Sequence, residues 1–460
     1  MDYIENRTFD EIAPGDSASL TRTLTPQDIQ LFAVISGDVN PAHVDAEYEG
    51  TRFHEVVAHG MWGGALISTV LGTQYPGPGT IYIDQSLHFA RPVTIGDTIT
   101  VTVTVREKFE RTRHVVLDCR CVNQDRVVVI TGTAEVLAPE TKVRRPRVML
   151  PEIRLHDHNA RHRELLAMAV GLQPIRVAVV HPCDPASLGG ALAAAQAGLI
   201  VPVLVGPEHK IRAVAAETGA DLSGVELIST EHSHAAVEAA VRLVRDEKVD
   251  ALMKGSLHTD ELMSEVVAPQ SGLRTGRRIS HVFVMDVPSY PKPLFITDAA
   301  INIEPDLETK RDIVQNAVDL ARTLGIAEPK VAILSAVETV TPKLRSTVDA
   351  AALCKMAERG QITGGALDGP LAFDNAISPV AAKTKEIVSA VAGQADILVV
   401  PDIESGNMVA KQLEYLADGQ TAGVVLGARV PIVLTSRADD VQSRVASCAI
   451  ALLMVRKAAA

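Results

Sequence analysis

The spacing of apolar residues changes character about a third of the way along the chain. Residues 97 to 106, 114 to 121 and 126 to 136 alternate Ile or Val with polar residues, which is typical of strands with one buried face. Short polar turns join these segments, so an antiparallel sheet is predicted. One convincing helix, over residues 60 to 72, is rich in Gly and Ala, and we expect the sheet to wrap closely around it.

After residue 152 the pattern becomes apolar strand followed by helix. Apolar runs begin near residues 175, 200, 250, 281, 330, 395 and 430, and most are followed by helical periodicity. This alternation predicts a parallel α/β domain with helices on both faces of the sheet, arranged as two lobes with a cleft between them. Between the two patterns, residues 138 to 152 carry three prolines and four basic residues without periodicity, which indicates a linker. The predicted domains are therefore residues 1–137 and 158–460, joined by a linker over 138–157.

Composition narrows the class of protein. At 460 residues the chain is long enough for two or three domains, and 47% apolar but only 3% aromatic residues suit α/β structure. The formal net charge of −12 argues against nucleic acid as a partner, because a phosphate backbone is held by clustered Lys and Arg. No apolar run of about 18 residues predicts a membrane helix, and nothing near the N-terminus resembles a signal peptide. We expect a cytoplasmic protein.

Cysteine and histidine spacing gives no metal site. The five cysteines are irregularly placed and form no CxxC pair, so reduced thiols are expected. His156, His158 and His162 are two and six residues apart, a poor ligand set for a metal ion. The prediction is a protein without a bound metal.

The stretch SGDVNPAH, residues 36 to 43, is the first candidate for chemistry. A proline restricts the loop, so Asp38 and His43 can face one cavity, where a carboxylate and an imidazole together can polarise a water molecule. Downstream, Gly60 opens the predicted helix, where backbone N–H groups can bind a developing oxyanion. The same residue types are also typical of a turn that ends a helix, and the spacing alone does not decide between the two interpretations.

Three stretches together resemble the MaoC-like, (R)-specific enoyl-CoA hydratase family over most of residues 5 to 137. They are SGDVNPAHVDAEYEG, VVAHGMWGGALIST and GPGTIYIDQSLHFARPVTIGD. The resemblance implies a hot-dog fold, dimerisation and an acyl-CoA site at the dimer interface. It further implies that Asp38 and His43 activate water, that the Gly60 amide polarises the thioester carbonyl, and that Ser68 supports the pair. Asn40 belongs to the same motif and is expected to help bind substrate.

A second candidate site follows the last predicted strand. In VPIVLTSRADD, Ser436 lies where a helix cap belongs and Arg437 lies at the helix start, at the carboxyl end of a strand. Backbone N–H groups and a guanidinium together favour phosphate binding. The alternative is a surface arginine beside a cap.

Further polar stretches follow other strands of the second domain. From KGSLHTDEL, FITDAAINIEPD and VVPDIESGNMVAKQL we take four substrate-binding candidates: Ser256, His258, Asp298 and Asn407. A capping role explains Asn407 equally well. No GxxxxGK[ST] segment is present, so an ATP site of the P-loop type is not predicted.

These stretches, with GALDGPLAFDNAIS, resemble the phosphate acetyl/butyryltransferase family over roughly residues 160 to 457, and look closer to its butyryl branch. The resemblance implies acyl transfer between CoA and phosphate without a metal or a covalent enzyme intermediate, with Ser436 and Arg437 as the phosphate motif. One departure concerns the base that deprotonates the CoA thiol. In the acetyl branch a carboxylate lies six residues after the arginine, where this chain has Ser443, and Asp439 or Asp440 could substitute.

Together the two resemblances imply a bifunctional enzyme that hydrates a 2-enoyl-CoA and exchanges CoA for phosphate. CoA thioesters and phosphate would be its substrates, no further cofactor is expected, and a homodimer or larger homo-oligomer is expected. The alternative is a hydratase whose C-terminal domain is a non-catalytic module that senses acyl-CoA and drives oligomerisation. A thioesterase is a second alternative for the N-terminal half, and the intact Asp38 and His43 pair favours hydration.

Overall fold

The structure is a computed structural model that describes residues 3–45, 48, 55–151, 153, 155, 160–436 and 439–458. It divides into two compact units, Met1–His156 and Asp157–Ala460. Among the residues described, no helix combines the length and apolar character needed to cross a bilayer.

The first unit has three α-helices and seven strands among its described residues. The helices are α1 Pro26–Ser36, α2 Pro41–Val44 and α3 Gly60–Thr73. The strands are β1 Tyr3–Glu5, β2 Ser17–Thr23, β3 Ile81–Phe89, β4 Thr98–Phe109, β5 His114–Val122, β6 Val128–Leu137 and β7 Arg144–Pro146.

A five-stranded antiparallel sheet, in the order β2-β4-β5-β6-β3, forms most of this unit. Its alternating residues bury one face against α3, as Val101, Val103 and Val105 show with 0 to 2% exposure. The glycines of α3 allow the close approach that was predicted. A Cβ at Gly63 would lie 2.2 Å from the Cδ1 of Ile130 on β6. The predicted hot-dog class, a sheet wrapped on one helix, is confirmed.

The segment expected to be a linker begins as part of this unit. β7 pairs antiparallel with β1, with Ile4 opposite Arg145. Asn6 also donates its side-chain N–H to the carbonyl of Thr141 at 2.9 Å. Residues up to 146 therefore belong to the first unit, because their backbone groups find partners near the N-terminus, which composition could not reveal.

The second unit alternates strands and helices. Its strands are β8 Ile175–Val180, β9 Ile200–Gly206, β10 Glu226–Ser229, β11 Ala251–Lys254, β12 Ser280–Asp286, β13 Leu294–Thr297, β14 Lys330–Leu334, β15 Ala366–Leu371, β16 Ile397–Val399, β17 Gln420–Leu426 and β18 Ile432–Val433. Its helices are α4 Ala160–Ala169, α5 Pro185–Gln196, α6 Glu208–Thr218, α7 Ser233–Arg245, α8 Thr259–Val266, α9 Leu307–Thr323, α10 Arg345–Glu358, α11 Phe373–Ile377, α12 Pro379–Thr384, α13 Ile403–Leu416 and α14 Val441–Ala458.

These eleven strands form one mixed sheet in the order β10-β9-β8-β11-β18-β17-β12-β13-β16-β14-β15. Strands β9, β8, β11 and β18 are mutually parallel, as are β13, β16, β14 and β15. The wholly parallel sheet that was expected is interrupted in the middle, where β17 is antiparallel to both β18 and β12, and β12 is antiparallel to β13. The two parallel blocks therefore run in opposite directions.

Helices cover both faces of the mixed sheet, as predicted. On one face α5 and α14 pack on β8, β11 and β18, while α9 and α10 pack on β12 to β16. On the other face α7 and α8 cover the first block, and α11 and α13 cover the second. Between those two helix groups, His281 of β12 lies against Gly423 of β17, where a Cβ on the glycine would be 2.8 Å from the imidazole Nε2.

Candidate functional site

Asp38 and His43 are held by a short turn between α1 and α2. Gly37 ends α1 with a φ of 74°, a left-handed conformation that favours glycine. Asn40 then caps α2, because its side-chain oxygen accepts the N–H of Ala42 at 3.2 Å. The sequence thus stops one helix and starts the next within four residues, which fixes both candidate side chains on one rigid segment.

A buried histidine joins this pair. His59 donates from Nε2 to the carbonyl oxygen of Asp38 at 3.0 Å, and His43 donates from Nδ1 to the carbonyl of Val57 at 2.8 Å. The two imidazoles lie 4.0 Å apart between ring centroids, tilted by 31°. One side-chain N or O atom from each of Asp38, His43 and His59 lies within 4.8 Å of the other two. The predicted pair is therefore a three-residue polar cluster.

Gly60 lies beside this cluster, at the edge of a cavity of about 440 Å³ that His59 also lines. It is the first residue of α3, where the backbone N–H groups have no intrahelical acceptor. A Cβ at this position would lie 3.2 Å from the Cε1 of Phe89, so a larger residue would crowd the cavity. An amide at a helix start can bind an oxyanion, and this role of Gly60 stays a prediction.

Ser68 is not brought to the cluster within one chain. It lies eight residues after Gly60 on α3, about 12 Å along the helix axis, and is exposed. Among the residues that the structure describes, no hydrogen bond joins its hydroxyl to Asp38 or His43. Its supporting role stays a prediction.

In the second unit, the backbone of Ser436 is fixed at the end of β18. The carboxylate of Asp439 accepts the Ser436 N–H at 2.7 Å, and the Asp439 N–H reaches back to the Ser436 carbonyl at 3.3 Å. Arg437, the motif arginine, lies outside the described residues. The described residues on either side of it, Ser436 and Asp439, are hydrogen-bonded to each other.

Arg444 stabilises the same turn from α14. This arginine is 3% exposed, and it donates from Nη1 to the Thr435 hydroxyl at 2.7 Å and from Nη2 to the Ser436 carbonyl at 3.0 Å. Burial lowers the pKa of its guanidinium, and the nearby carboxylates of Asp184 and Asp439 oppose that effect. A buried cation therefore holds Thr435 and the backbone of Ser436 in place.

The two carboxylates proposed to replace the missing base have different surroundings. Asp439 is 7% exposed, and burial raises the pKa of its carboxyl. Asp440 is exposed and accepts the backbone N–H of Ser443 at 2.7 Å, the bond of a helix cap. Of the two, Asp439 combines burial at the motif with raised basicity.

Ser256 reaches the same region from β11. It lies close enough to Asp184 to help lower the pKa of that carboxyl, and Asp184 caps α5 by accepting the N–H of Ser187 at 2.9 Å and the Ser187 hydroxyl at 2.7 Å. These hydrogen bonds lower the pKa of Asp184 despite its burial. His258, predicted from the same stretch, is the exposed N-cap residue of α8. Asp184 is in turn near enough to Arg444 to affect the pKa of its guanidinium.

Asp298 lies on the second block of the sheet, at the end of β13. Its carboxylate accepts the N–H groups of Ala300 and Ile301, both at 3.0 Å, so it orders its own loop. It is also close enough to His281 to affect that residue's pKa, which burial lowers. His281 in turn donates to the carbonyl of Leu434 at 3.3 Å. His281 therefore lies between the loop of Asp298 and the segment that follows β18.

Asn407 lies on the exposed face of α13. One turn further along this helix, Lys411 is close enough to Asp439 to affect the pKa of that carboxyl. Asn407 is thus one helical turn from the residues that surround the motif.

Four residues of these clusters were missed as functional candidates: His59, Asp184, His281 and Arg444. Asp184 had a readable signal, since an Asp followed by Pro is typical of a helix cap after a strand. Arg444 lies in the first turn of α14, which begins at Val441, and only tertiary structure reveals its contact with Ser436. His281 reads as an ordinary strand residue, and only tertiary structure reveals its burial.

Two family models match the chain. One is described as "Phosphate acetyl/butaryl transferase" and matches residues 230–452, and the other is described as "MaoC like domain" and matches residues 12–121.

Individual proteins match the same two regions. A phosphate acetyltransferase of Rhizobium meliloti is 64% identical over 294 residues, which cover 64% of this chain and 93% of that protein. The crystal structure of a branched-chain phosphotransacylase from Enterococcus faecalis V583 has a TM-score of 0.54 at 30% identity, over 61% of this chain and 99% of that chain. An R-hydratase from Pseudomonas aeruginosa, in the unliganded form, is 42% identical with a TM-score of 0.33, over 34% of this chain and 100% of that chain.

Proposed function

Because this chain belongs to the phosphate acetyl/butyryltransferase family and carries a MaoC-like domain in addition, we propose that it is a bifunctional enzyme acting on acyl-CoA thioesters. Its C-terminal unit transfers an acyl group between CoA and phosphate. Its N-terminal unit adds water to a 2-enoyl-CoA and yields a 3-hydroxyacyl-CoA.

The acyltransferase proposal is carried by the fixed backbone of Ser436, which lies between β18 and α14. The predicted helix-cap position of Ser436 is wrong, because the helix begins only at Val441 and Asp440 caps it. Two residues hold this backbone, Asp439 at the N–H and Arg444 at the carbonyl. Arg437 follows directly in the sequence, and its guanidinium is the group proposed to bind the phosphate dianion. A pre-ordered anion site is what phosphate needs beside a thioester, because both the nucleophile and the developing oxyanion are negative.

In the direction of acyl phosphate synthesis, a phosphate oxygen attacks the thioester carbonyl carbon. The C–S bond then breaks, and CoA leaves as a thiolate that takes up a proton. In the reverse direction the thiol must lose that proton, and its ordinary pKa near 8.5 leaves only a small thiolate fraction at neutral pH. Asp439 is the proposed base because burial raises the pKa of its carboxyl beside the motif. Its Oδ2 also orders the Ser436 N–H.

Acetyl-CoA is the proposed thioester, since the relative at 64% identity is named a phosphate acetyltransferase. The resemblance of DGPLAFDNAIS to the butyryl branch makes butyryl-CoA the substrate to compare. The test is phosphate-dependent release of free CoA from each thioester by wild type and by Arg437→Ala. Release that requires both phosphate and Arg437 supports acyl transfer. Absence of release, with hydration of crotonyl-CoA intact, would instead favour a non-catalytic, acyl-CoA-sensing and oligomerising C-terminal module.

The hydratase proposal is carried by the juxtaposition of Asp38 and His43 beside Gly60. Water bound between the carboxylate and the Nε2 of His43 would lose a proton to this pair and add to C3 of the enoyl-CoA. The amide of Gly60 would hold the thioester oxygen as it becomes an enolate. The proton returned to C2 completes the hydration. Loss of enoyl absorbance from crotonyl-CoA measures this reaction, and Asp38→Asn should abolish it.

Neither proposed reaction requires a metal or an organic cofactor, because CoA thioesters, water and phosphate supply every reacting atom. The protein is further proposed to act as a homodimer or larger homo-oligomer, since Ser68 finds no partner from the described residues of the pair in one chain. Light scattering coupled to gel filtration measures the assembly. A monomer with full hydration activity would remove the role assigned to Ser68.

A further inference from the structure

A buried lysine ends β11 beside the phosphate motif. Lys254 is 4% exposed, and an ammonium at this depth is costly unless acceptors or anions surround it. β11 runs parallel to β18, with Met253 opposite Val433. Lys254 is therefore the neighbour of Leu434, two residues before Ser436. Ligands of open α/β sheets bind beyond the carboxyl ends of such parallel strands, which is where Lys254 lies.

The side chain of Lys254 leaves the sheet on the face that carries His281. Side chains alternate along a strand, so Lys254 shares its face with Leu252. Leu252 packs with Leu434 under α7 and α8, whereas Met253 packs on the opposite face with α14. On the face of Leu252, His281 donates to the Leu434 carbonyl between the two helix groups. Lys254 therefore lies on the face of the sheet that the helices leave partly open beside β18.

The backbone that follows Lys254 is fixed by the end of β8. Gly255 donates its N–H to the Val180 carbonyl at 2.9 Å. Ser256 donates its N–H to the His181 carbonyl at 2.9 Å, and the imidazole Nδ1 of His181 donates back to the Ser256 carbonyl at 2.9 Å. His181 has a φ of 55°, a left-handed conformation that is strained for a residue with a side chain and is concentrated at functional sites. The base of the lysine side chain is thus held in place.

The charges around the motif disfavour a phosphate dianion bound by Arg437 alone. Three carboxylates lie close enough to Arg444 to affect the pKa of its guanidinium: Asp184, Asp439 and Asp440. Arg444 donates to the Thr435 hydroxyl and the Ser436 carbonyl. A dianion would therefore enter a region where carboxylates outnumber arginines. An ammonium is a compact charge that can bind phosphate, and Lys254 supplies one from the neighbouring strand.

We propose that Lys254 is a second phosphate-binding residue of the acyltransferase site, whose ammonium contacts the phosphate oxygens together with Arg437. In acyl phosphate synthesis it holds the attacking phosphate. In the reverse reaction it stabilises the phosphate that leaves when the thiolate attacks the acyl carbon. No bond to Lys254 forms, and the proton stays on its Nζ. The inference rests on the proposed acyl transfer, but phosphate binding is measurable without turnover.

The first test is equilibrium dialysis of the full-length protein against inorganic phosphate. Lys254→Gln removes the charge and keeps a side-chain N–H that can donate to the Gly255 carbonyl, which Lys254 contacts at 3.5 Å. We expect the dissociation constant for phosphate to rise about 10- to 100-fold, with partial recovery in Lys254→Arg. The matched control is Lys310→Gln, because Lys310 is 5% exposed and bonded to Asp349. This control should lose stability and keep the wild-type affinity.

The second test measures phosphate-dependent CoA release from acetyl-CoA. Lys254→Gln should raise the KM for phosphate about 10- to 100-fold and leave the KM for acetyl-CoA unchanged. Wild-type phosphate affinity in folded Lys254→Gln, or a fall in kcat without a change in the KM for phosphate, would overturn the proposal. A wild-type protein that binds phosphate but releases no CoA would instead count against acyl transfer and leave the binding result standing.

A crystal structure of the wild-type protein soaked in phosphate tests the contact without a variant. A phosphate oxygen within about 3 Å of the Lys254 Nζ supports the proposal. A phosphate bound at Arg437 but more than about 4 Å from this nitrogen overturns it, as does a wild-type protein that binds no phosphate.

Discussion

The guanidinium of Arg444 donates to the carbonyl of Ser436 at 3.0 Å, so a buried cation on α14 holds the residue that precedes the motif arginine. Arg444 also bonds the hydroxyl of Thr435, which makes the end of β18 and the start of α14 one hydrogen-bonded unit. The backbone of Ser436 is therefore held by a residue in the first turn of α14.

Arg444→Gln should damage both stability and acyl transfer. Two hydrogen bonds from a charged group are lost, at a cost of about 3 kcal/mol in the free energy of unfolding. Displacement of the motif should lower kcat for phosphate-dependent CoA release by about 100-fold. Urea denaturation and the release assay measure the two effects.

The matched control is Arg456→Gln on the same helix. Arg456 also donates to two backbone carbonyls, those of Gln173 and Pro174, at 2.9 and 2.8 Å. It lies twelve residues further on, about 18 Å along the helix axis. This variant should lose stability but keep kcat. Equal losses of kcat in the two variants would contradict the positioning role of Arg444.

Two adjacent glycines of α5 should respond oppositely to alanine. A Cβ at Gly190 would lie 2.5 Å from the Cδ of Arg444, whereas one at Gly189 meets only the Cγ2 of Val441, at 3.9 Å. Gly190→Ala should therefore destabilise by about 1–3 kcal/mol and reduce acyl transfer. Gly189→Ala should stabilise by up to about 1 kcal/mol through helix propensity. Thermal unfolding of the two variants, side by side, gives the sign of each effect.

Asp439→Asn and Asp440→Asn should separate the proposed base from a helix cap. Burial raises the pKa of Asp439, so the carboxylate becomes protonated as pH falls through that raised value. The protonated group cannot take the proton of the thiol. In Asp439→Asn we expect a lower rate of CoA acylation from acetyl phosphate and loss of this acidic limb. The asparagine oxygen still accepts the Ser436 N–H. Asp440→Asn should leave the pH–rate profile unchanged, and a changed profile in Asp440→Asn alone would assign the base to Asp440.

Asp38→Asn should abolish hydration without affecting acyl transfer. The amide cannot take a proton from water, so crotonyl-CoA hydration should fall by about 10²–10⁴-fold. The control is Asp118→Asn, which alters an exposed carboxylate on β5 near Arg106. Independent sites predict full phosphate-dependent CoA release in both variants, and a parallel loss in Asp38→Asn would indicate that the two reactions are coupled.

His281 should make the stability of the C-terminal unit depend on pH. Burial lowers the pKa of this imidazole in the folded protein, while the unfolded chain binds a proton below about pH 6.5. The unfolded state thus gains protons first, and stability falls as pH decreases from about 6.5, by at most about 1.4 kcal/mol per pH unit.

The comparison variant is His281→Gln, whose side-chain amide can still donate to the Leu434 carbonyl. Its unfolding free energy should change less between pH 7.5 and 5.5 than that of wild type. His209→Gln, an exposed position on α6, should follow wild type. Identical pH dependence in wild type and His281→Gln would show that the loss of stability at low pH does not come from this buried imidazole.

Local patterns were sufficient to predict much of the fold. The alternation over residues 97 to 106 predicted a strand correctly, because one face of β4 is fully buried. The small side chains over residues 60 to 72 predicted a closely packed helix. The strand β17 was missed, because its apolar residues run into those of β18 as one segment, GVVLGARVPIVL, with only a short turn between them. The antiparallel centre of the sheet depends on that turn, so it could not be predicted.

The candidate site likewise contains residues that local sequence patterns predict and residues that they do not. Asp38 and His43 were predictable since a helix end and a helix start, both readable in SGDVNPAH, hold them. His59 was visible only as the residue before Gly60, because its contact with Asp38 crosses 21 positions of sequence. Arg444 reaches Ser436 only through tertiary packing, and the local signal at Asp184 predicts a helix cap without its proximity to Ser256.

The position of β17 and β18 has a consequence for folding during synthesis on the ribosome. These strands come last in the order of synthesis, yet they lie at the centre of the sheet, between β11 and β12. Until residue 433 has emerged, both neighbours present an unpaired edge, the kind of surface on which nascent chains aggregate. We therefore expect the N-terminal unit to fold while synthesis continues. The C-terminal unit can complete its sheet only after β17 and β18 have been synthesised, and we expect chaperones to bind it until then.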